Sequence, residues 1–173
     1  MMGKGKILSL VGGILTLIST YLLAWYVYEI NYVVYYYNGI GAIENFLDLY
    51  VHAQNYADYL ELPLWIIYLW GLVIIVTLIS GGLQLLSLKN RIWGLIGSIM
   101  PIIISIVIIL GLILFPEWLK YLEIFGDSNP LIRGGFPLNL ALPARPESLG
   151  TYVLFAGGIL GVIGFYYSSE EFY

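Results

Sequence analysis

Three side chains stand at a spacing that chemistry can use: Glu44, Asp48 and His52, each four residues from the next. On a helix that spacing puts all three on one face, and two carboxylates with an imidazole form a set that a divalent cation or a pH-dependent contact would use. The row is about 12 Å long at the helical rise, so only neighbouring members reach one ion. We read it as a solvated face and expect no metal there. Gln84 is the most polar side chain in any long apolar run, and it is expected to bond a neighbouring helix. Ser9, Thr16, Ser19 and Thr20 are the polar stripe that a pore would need. The chain has no cysteine, which removes thiolate metal sites, disulfides and cysteine nucleophiles. No catalytic residue, cofactor site or metal site is assigned, and the chain is read as not an enzyme.

The elements that must position these residues are set by composition. Hydrophobic residues make up 60% of the chain and charged residues 10%, with a mean hydropathy of +0.88, values that describe an integral membrane protein rather than a soluble domain. Four runs, 7–28, 64–88, 92–115 and 149–167, carry no charged side chain. Each is long enough to cross a core of about 30 Å as a helix. The fold class is therefore all-α: one unit over residues 1–173, a bundle of four transmembrane helices with two structured outside loops, 29–63 and 116–148. The first run is read as a retained anchor, because its apolar core is too long for a signal peptide and no small-x-small cleavage site follows.

Charge gives the orientation. Lys4, Lys6, Lys89 and Arg91 flank one side, whereas loop 29–63 holds Glu29, Glu44, Asp48, Asp58 and Glu61 and no Lys or Arg. The positive-inside rule then places both termini in the cytoplasm of a multi-pass protein of the cell membrane. A membrane span without Asp, Glu, His, Lys or Arg argues against proton-coupled transport and intramembrane hydrolysis. Nothing basic enough to hold nucleic acid is present.

Small residues mark where helices pack. Ser9 with Gly13, Gly94 with Ser98, and Gly157 with Gly161 are four apart, and Gly12-Gly13, Gly81-Gly82 and Gly157-Gly158 are doublets; close backbone approach at such positions holds helices together in lipid. Aligning "KILSLVGGIL" with "RIWGLIGSIM" and "LISGGL" with "LFAGGI" suggests two copies of a helical hairpin related by an axis along the membrane normal. Pro101, in the third span, cannot donate to the carbonyl of Gly97 and is expected to bend that helix.

Outside, 42–60 reads as an amphipathic helix with Ile43, Phe46, Leu47, Tyr50 and Val51 on its apolar side, lying on the membrane or over the bundle. Trp25, Tyr26 and Tyr28 are placed in an aromatic belt. Tyr32, Tyr35, Tyr36 and Tyr37, which follow as helix or as strand, are too far out for a belt and are read as an interface with the second loop, a sister subunit or a partner. In the second loop, 117–125 reads as a short helix entered at Pro116, and 136–143 as an extended arm with Phe136, Leu138 and Leu140 on one face and prolines blocking one edge.

Four spans, inward termini, a three-residue inner turn and two outer loops resemble the plan of claudins and other tetraspan proteins, and of large-pore gap-junction-type channels. Those families carry loop cysteines that this chain lacks, so no residue role transfers. The reading is a non-catalytic tetraspan protein that acts by association with other membrane subunits or itself, as an accessory subunit or a surface organiser; the alternative is a homo-oligomeric pore or carrier for a neutral or hydrophobic solute. The composition is compatible with a thermophilic source.

Overall fold

A computed structural model of the chain describes residues 3–30, 33–114, 125–126, 130–132 and 148–170. In chain order the elements are α1 (Lys4–Leu22), β1 (Tyr26–Ile30), β2 (Val33–Tyr37), α2 (Gly39–Val51), α3 (Ala53–Leu60), α4 (Leu64–Leu86), α5 (Arg91–Ile113) and α6 (Leu149–Glu170). Four of them, α1, α4, α5 and α6, are long and apolar enough to cross a membrane. They form a ring in which α1 packs on α4 and α6, and α5 on the same two, so that α1 and α5 stand diagonally.

The burial pattern is inverted relative to a water-soluble bundle. Ser9, Thr16, Ser19, Thr20, Thr77, Ser80, Gln84, Ser98, Ser105 and Thr151 are buried, whereas Ile7, Val11, Ile14, Leu72, Ile79, Ile96 and Ile103 lie outside. In hydrocarbon no hydrophobic force drives large apolar side chains inward. Contact is won instead by small residues and by polar groups that pair across helices.

Helix α1 is shorter than the apolar run it lies in. The run 7–28 reads as one span, but the helix ends at Leu22, and Leu23 is already extended. Tyr26–Ile30 then pairs antiparallel with Val33–Tyr37, Tyr26 opposite Tyr37 and Ile30 opposite Val33. Dense Tyr and Val suit a pleated strand better than a helix, and hydropathy does not register the change because those residues remain apolar. The all-α description thus gains a two-stranded hairpin. The aromatic belt assigned to Trp25 and Tyr26 is corrected as well: they are 0% and 1% exposed, enclosed by their own chain.

Residues 42–60 form two helices instead of one. Asn38 caps α2, its Oδ1 accepting from the backbone N–H groups of Ile40 and Gly41 at 3.0 and 3.1 Å; its own N–H donates to the carbonyl of Phe125 at 2.9 Å. The ladder breaks at His52, and α3 resumes at Ala53. The buried face of α2 is Gly39, Gly41, Ala42 and Leu49. Phe46 packs against the core, and Ile43, Leu47, Tyr50 and Val51 of the expected apolar side are exposed on the outside of the protein. The small residues let α2 lie close to α1 and α4: a Cβ on Gly39 would strike Thr20, and Tyr50 fills the space beside Gly71.

Helix α5 runs unbroken through Pro101 and is capped by Asn90, whose Oδ1 accepts from the Ile92 N–H at 3.0 Å. The helix read over 117–125, apart from Phe125, and the arm over 136–143 lie outside the described residues, as does Tyr32.

Candidate functional site

The centre of the ring is built on Gln84. Proline at 101 leaves the carbonyl of Gly97 without its usual intrahelical donor, and the Gln84 side chain supplies one. Its Nε2 donates to Gly97 O and to Thr16 Oγ1, each at 3.0 Å. The Oε1 atom is turned to the backbone of Gly12 and Gly161, at positions where a Cβ would come within 3.1 Å. One amide thereby touches α1, α5 and α6 from α4. It can hold four helices in register.

A double substitution measures this link. Gln84→Leu should cost about 1–2 kcal/mol by leaving a buried carbonyl unpaired. In a Pro101→Ala background the alanine N–H can serve Gly97, so the cost of Gln84→Leu should fall by about 0.5–1 kcal/mol. Unfolding midpoints of the four proteins in one detergent decide it, and equal costs in both backgrounds would refute the pairing.

Around Gln84 the expected packing residues take definite places. Gly12 faces the carbonyl of Gly157 and the N–H of Gly161, and Gly157 faces Thr16 and Gly12. Gly13 meets Leu85 and the Gly81 carbonyl, Gly81 meets Leu17, and Gly94 meets Ser87 across the inner turn. Ser98, which donates to the Gly94 carbonyl, lies against Gly161, and Ser9 against Gly164. Gly82 is different: among the described residues nothing lies within 4 Å of its Cβ direction, so it takes no part in the seams between these four helices. Its neighbour Gly81 already fills the contact, and the next residue points about 100° away.

Gly97, Gly150, Gly158 and Gly164 also meet neighbouring backbone or side chains and were not singled out by spacing four residues apart. Gly150, Gly157 and Gly164 recur every seven residues, two helical turns, which is a readable signal for one face. The hydroxyl stripe of α1 is taken up here too. Ser9, Thr16, Ser19 and Thr20 are buried, and Ser19 Oγ donates to the carbonyl of Gly150 at 2.6 Å.

Above α1 and α6 sits an aromatic cluster. Trp25 Nε1 donates to the carbonyl of Ser19 at 3.0 Å, and its ring lies 5.0 Å from that of Phe125. Its N–H donates to Tyr37 O at 2.8 Å, while its carbonyl accepts from the Ser148 N–H and from Thr151 Oγ1. The rings of Tyr26 and Tyr37 stack with centroids 4.1 Å apart. Of the tyrosines read as an interface, Tyr37 is enclosed by its own chain, Tyr35 packs against the core and Tyr36 is half-buried.

The Glu44, Asp48, His52 row is exposed. His52 Nε2 lies 3.5 Å from Asp48 Oδ1, and Tyr56 donates to Asp48 Oδ2 at 2.9 Å. Asp48, His52 and Tyr56, with Asn55 and Tyr59, line an open groove of about 380 Å³. Among the described residues no three acidic or histidine side chains gather as a metal set would. No family model, curated protein or solved structure matches this chain.

Proposed function

We propose that the chain works by association within a membrane, as an accessory or structural subunit of a larger complex or as an organiser of the membrane surface. The observation that carries the reading is the use made of the bundle interior. The Gln84 amide N–H, the Thr16 and Ser19 hydroxyls and the facing glycines are engaged in holding helices together. In the row of hydroxyls that a pore through this chain would need, Ser9, Thr16 and Ser19 lie against α6, and Thr20 lies against Gly39 of α2. Partners in this reading are the lipid bilayer and other membrane subunits or further copies of the chain, with no cofactor and no chemistry.

Native migration after mild solubilisation tests it. A discrete complex holding a second polypeptide in fixed ratio supports the accessory role. A homo-oligomeric ring that conducts a neutral solute would replace it with the pore reading, and a lone monomer in every mild detergent would overturn it.

We place both termini in the cytoplasm, on the asymmetry of Lys4, Lys6, Lys89 and Arg91 against the acidic loop 29–63. Asn55 and Asn90 are both exposed. A cysteine at Asn55 should react with an impermeant reagent in intact cells and one at Asn90 should not; the opposite pattern would reverse the topology.

A further inference from the structure

The register of α1 on α4 fixes how far into the bundle the outer elements reach. Leu17 lies against Gly81, and Tyr21 Oη donates to the carbonyl of Leu78 at 2.7 Å. The first residue of α2, Gly39, fits between Thr20 and the Leu78 side chain. Leu78 is fourteen residues from the start of α4 at Leu64, about 21 Å along its axis. A hydrocarbon core of about 30 Å that begins at Leu64 has its midplane about 15 Å along α4, near Ile74, so Gly39 beside Leu78 reaches at least to the midplane. At the other end of α2, Tyr50 fills the space beside Gly71, still about 10 Å inward from Leu64. All of α2 runs beside the segment of α4 from Gly71 to Leu78, at a depth where α4 turns Leu72 and Ile75 outward.

We propose that α2 is a re-entrant helix whose edge of Ile43, Leu47 and Val51 contacts acyl chains of the leaflet at the N-terminal end of α4. The three residues are four apart and share an edge. Leu47 and Val51 are 73% and 74% exposed. Their surface continues the apolar outside of α4, so the same solvent covers both. Extended backbone at this depth is admissible where its polar groups are paired inside protein. The base of the hairpin meets that condition, through the Trp25 N–H on Tyr37 O and the Asn38 N–H on Phe125 O. Glu44 and Asp48 border the apolar edge of α2, each three residues before one of its members, Leu47 and Val51. They lead up one turn at a time to His52 and the open groove, a ladder of polar groups along which a long carboxylate side chain reaches hydration.

The inference rests on the bilayer reading of the four long helices and is independent of the association reading. The absence of native cysteine permits single labels at Leu47, Ile75 and Asn55, each carrying an environment-sensitive fluorophore, in vesicles of brominated phospholipid. The Leu47 label should be quenched by brominated chains at least half as strongly as the Ile75 label and resist aqueous iodide, while the Asn55 label shows the reverse. Iodide quenching at Leu47 equal to that at Asn55 would overturn the proposal. Protection at Leu47 from both quenchers would overturn it in favour of a protein covering. Failure of the Ile75 label to sense brominated chains would remove the bilayer reading, and this inference with it.

Discussion

Replacing Trp25 with alanine is expected to cost about 3–5 kcal/mol of stability, the range for deleting a buried large aromatic ring. The residue is fully enclosed and tied at several points: its indole N–H on Ser19, its ring against Phe125 and its backbone joining Tyr37, Ser148 and Thr151. Deletion of the ring leaves a cavity where α1, the hairpin and α6 meet. Trp25→Phe keeps an aromatic ring but removes the N–H and part of the bicyclic volume, so a smaller loss, about 1–2 kcal/mol, is expected. Thermal midpoints in mild detergent, with Tyr59→Ala as a surface control because Tyr59 is exposed, check the order. A Trp25→Ala midpoint no lower than that control would refute the central role of the cluster.

The second large effect is expected at Gly157. A side chain there would meet Thr16 and the carbonyl of Gly12 on the facing helix, and backbone does not yield as a flexible side chain does. Gly157→Leu should destabilise the bundle by about 3 kcal/mol or more, at the upper end of overpacking costs. Gly82→Leu faces open space and should change stability by less than about 0.5 kcal/mol. The pair separates packing from composition, because each change adds the same atoms to a glycine of a spanning helix. Equal loss of folded, monodisperse protein in both variants would defeat the seam assignment.

How the two positions came to be grouped shows what a sequence conveys in lipid. Spans are legible because charge is excluded from them, and seams because small residues recur on one face. Gly81-Gly82 as a doublet says only that a close approach is near; which glycine makes it depends on helix rotation, which is fixed by the partner. The link from Gln84 to Gly97 was half legible: Pro101 announces a carbonyl in need of a donor and Gln84 a donor in need of a partner, but their meeting requires the register of α4 on α5.

The hairpin was hidden for another reason. A scale that measures transfer from water cannot mark Leu22 as a helix end when Tyr26 and Val27 are as apolar as the residues before them. The face of α2 was legible in part: Ile43, Leu47 and Val51 mark an apolar edge by their spacing, whereas the inward contact is made by Gly39, Gly41 and Ala42, as packing in lipid favours.

The partner of α1 in the ring has a consequence for synthesis. Ser9, Gly12, Thr16 and Ser19 are covered by α6, which follows α4 and α5 in the chain and is made after them. Until then the first helix waits in the bilayer with hydroxyls and bare backbone on one flank, and the nascent bundle remains open along that side. Ring closure joins α1 to α6, a contact of high sequence separation formed late. A chain arrested before Leu149 should therefore leave α1 accessible to membrane chaperones and intramembrane quality control, and release of α6 should end that exposure in one step.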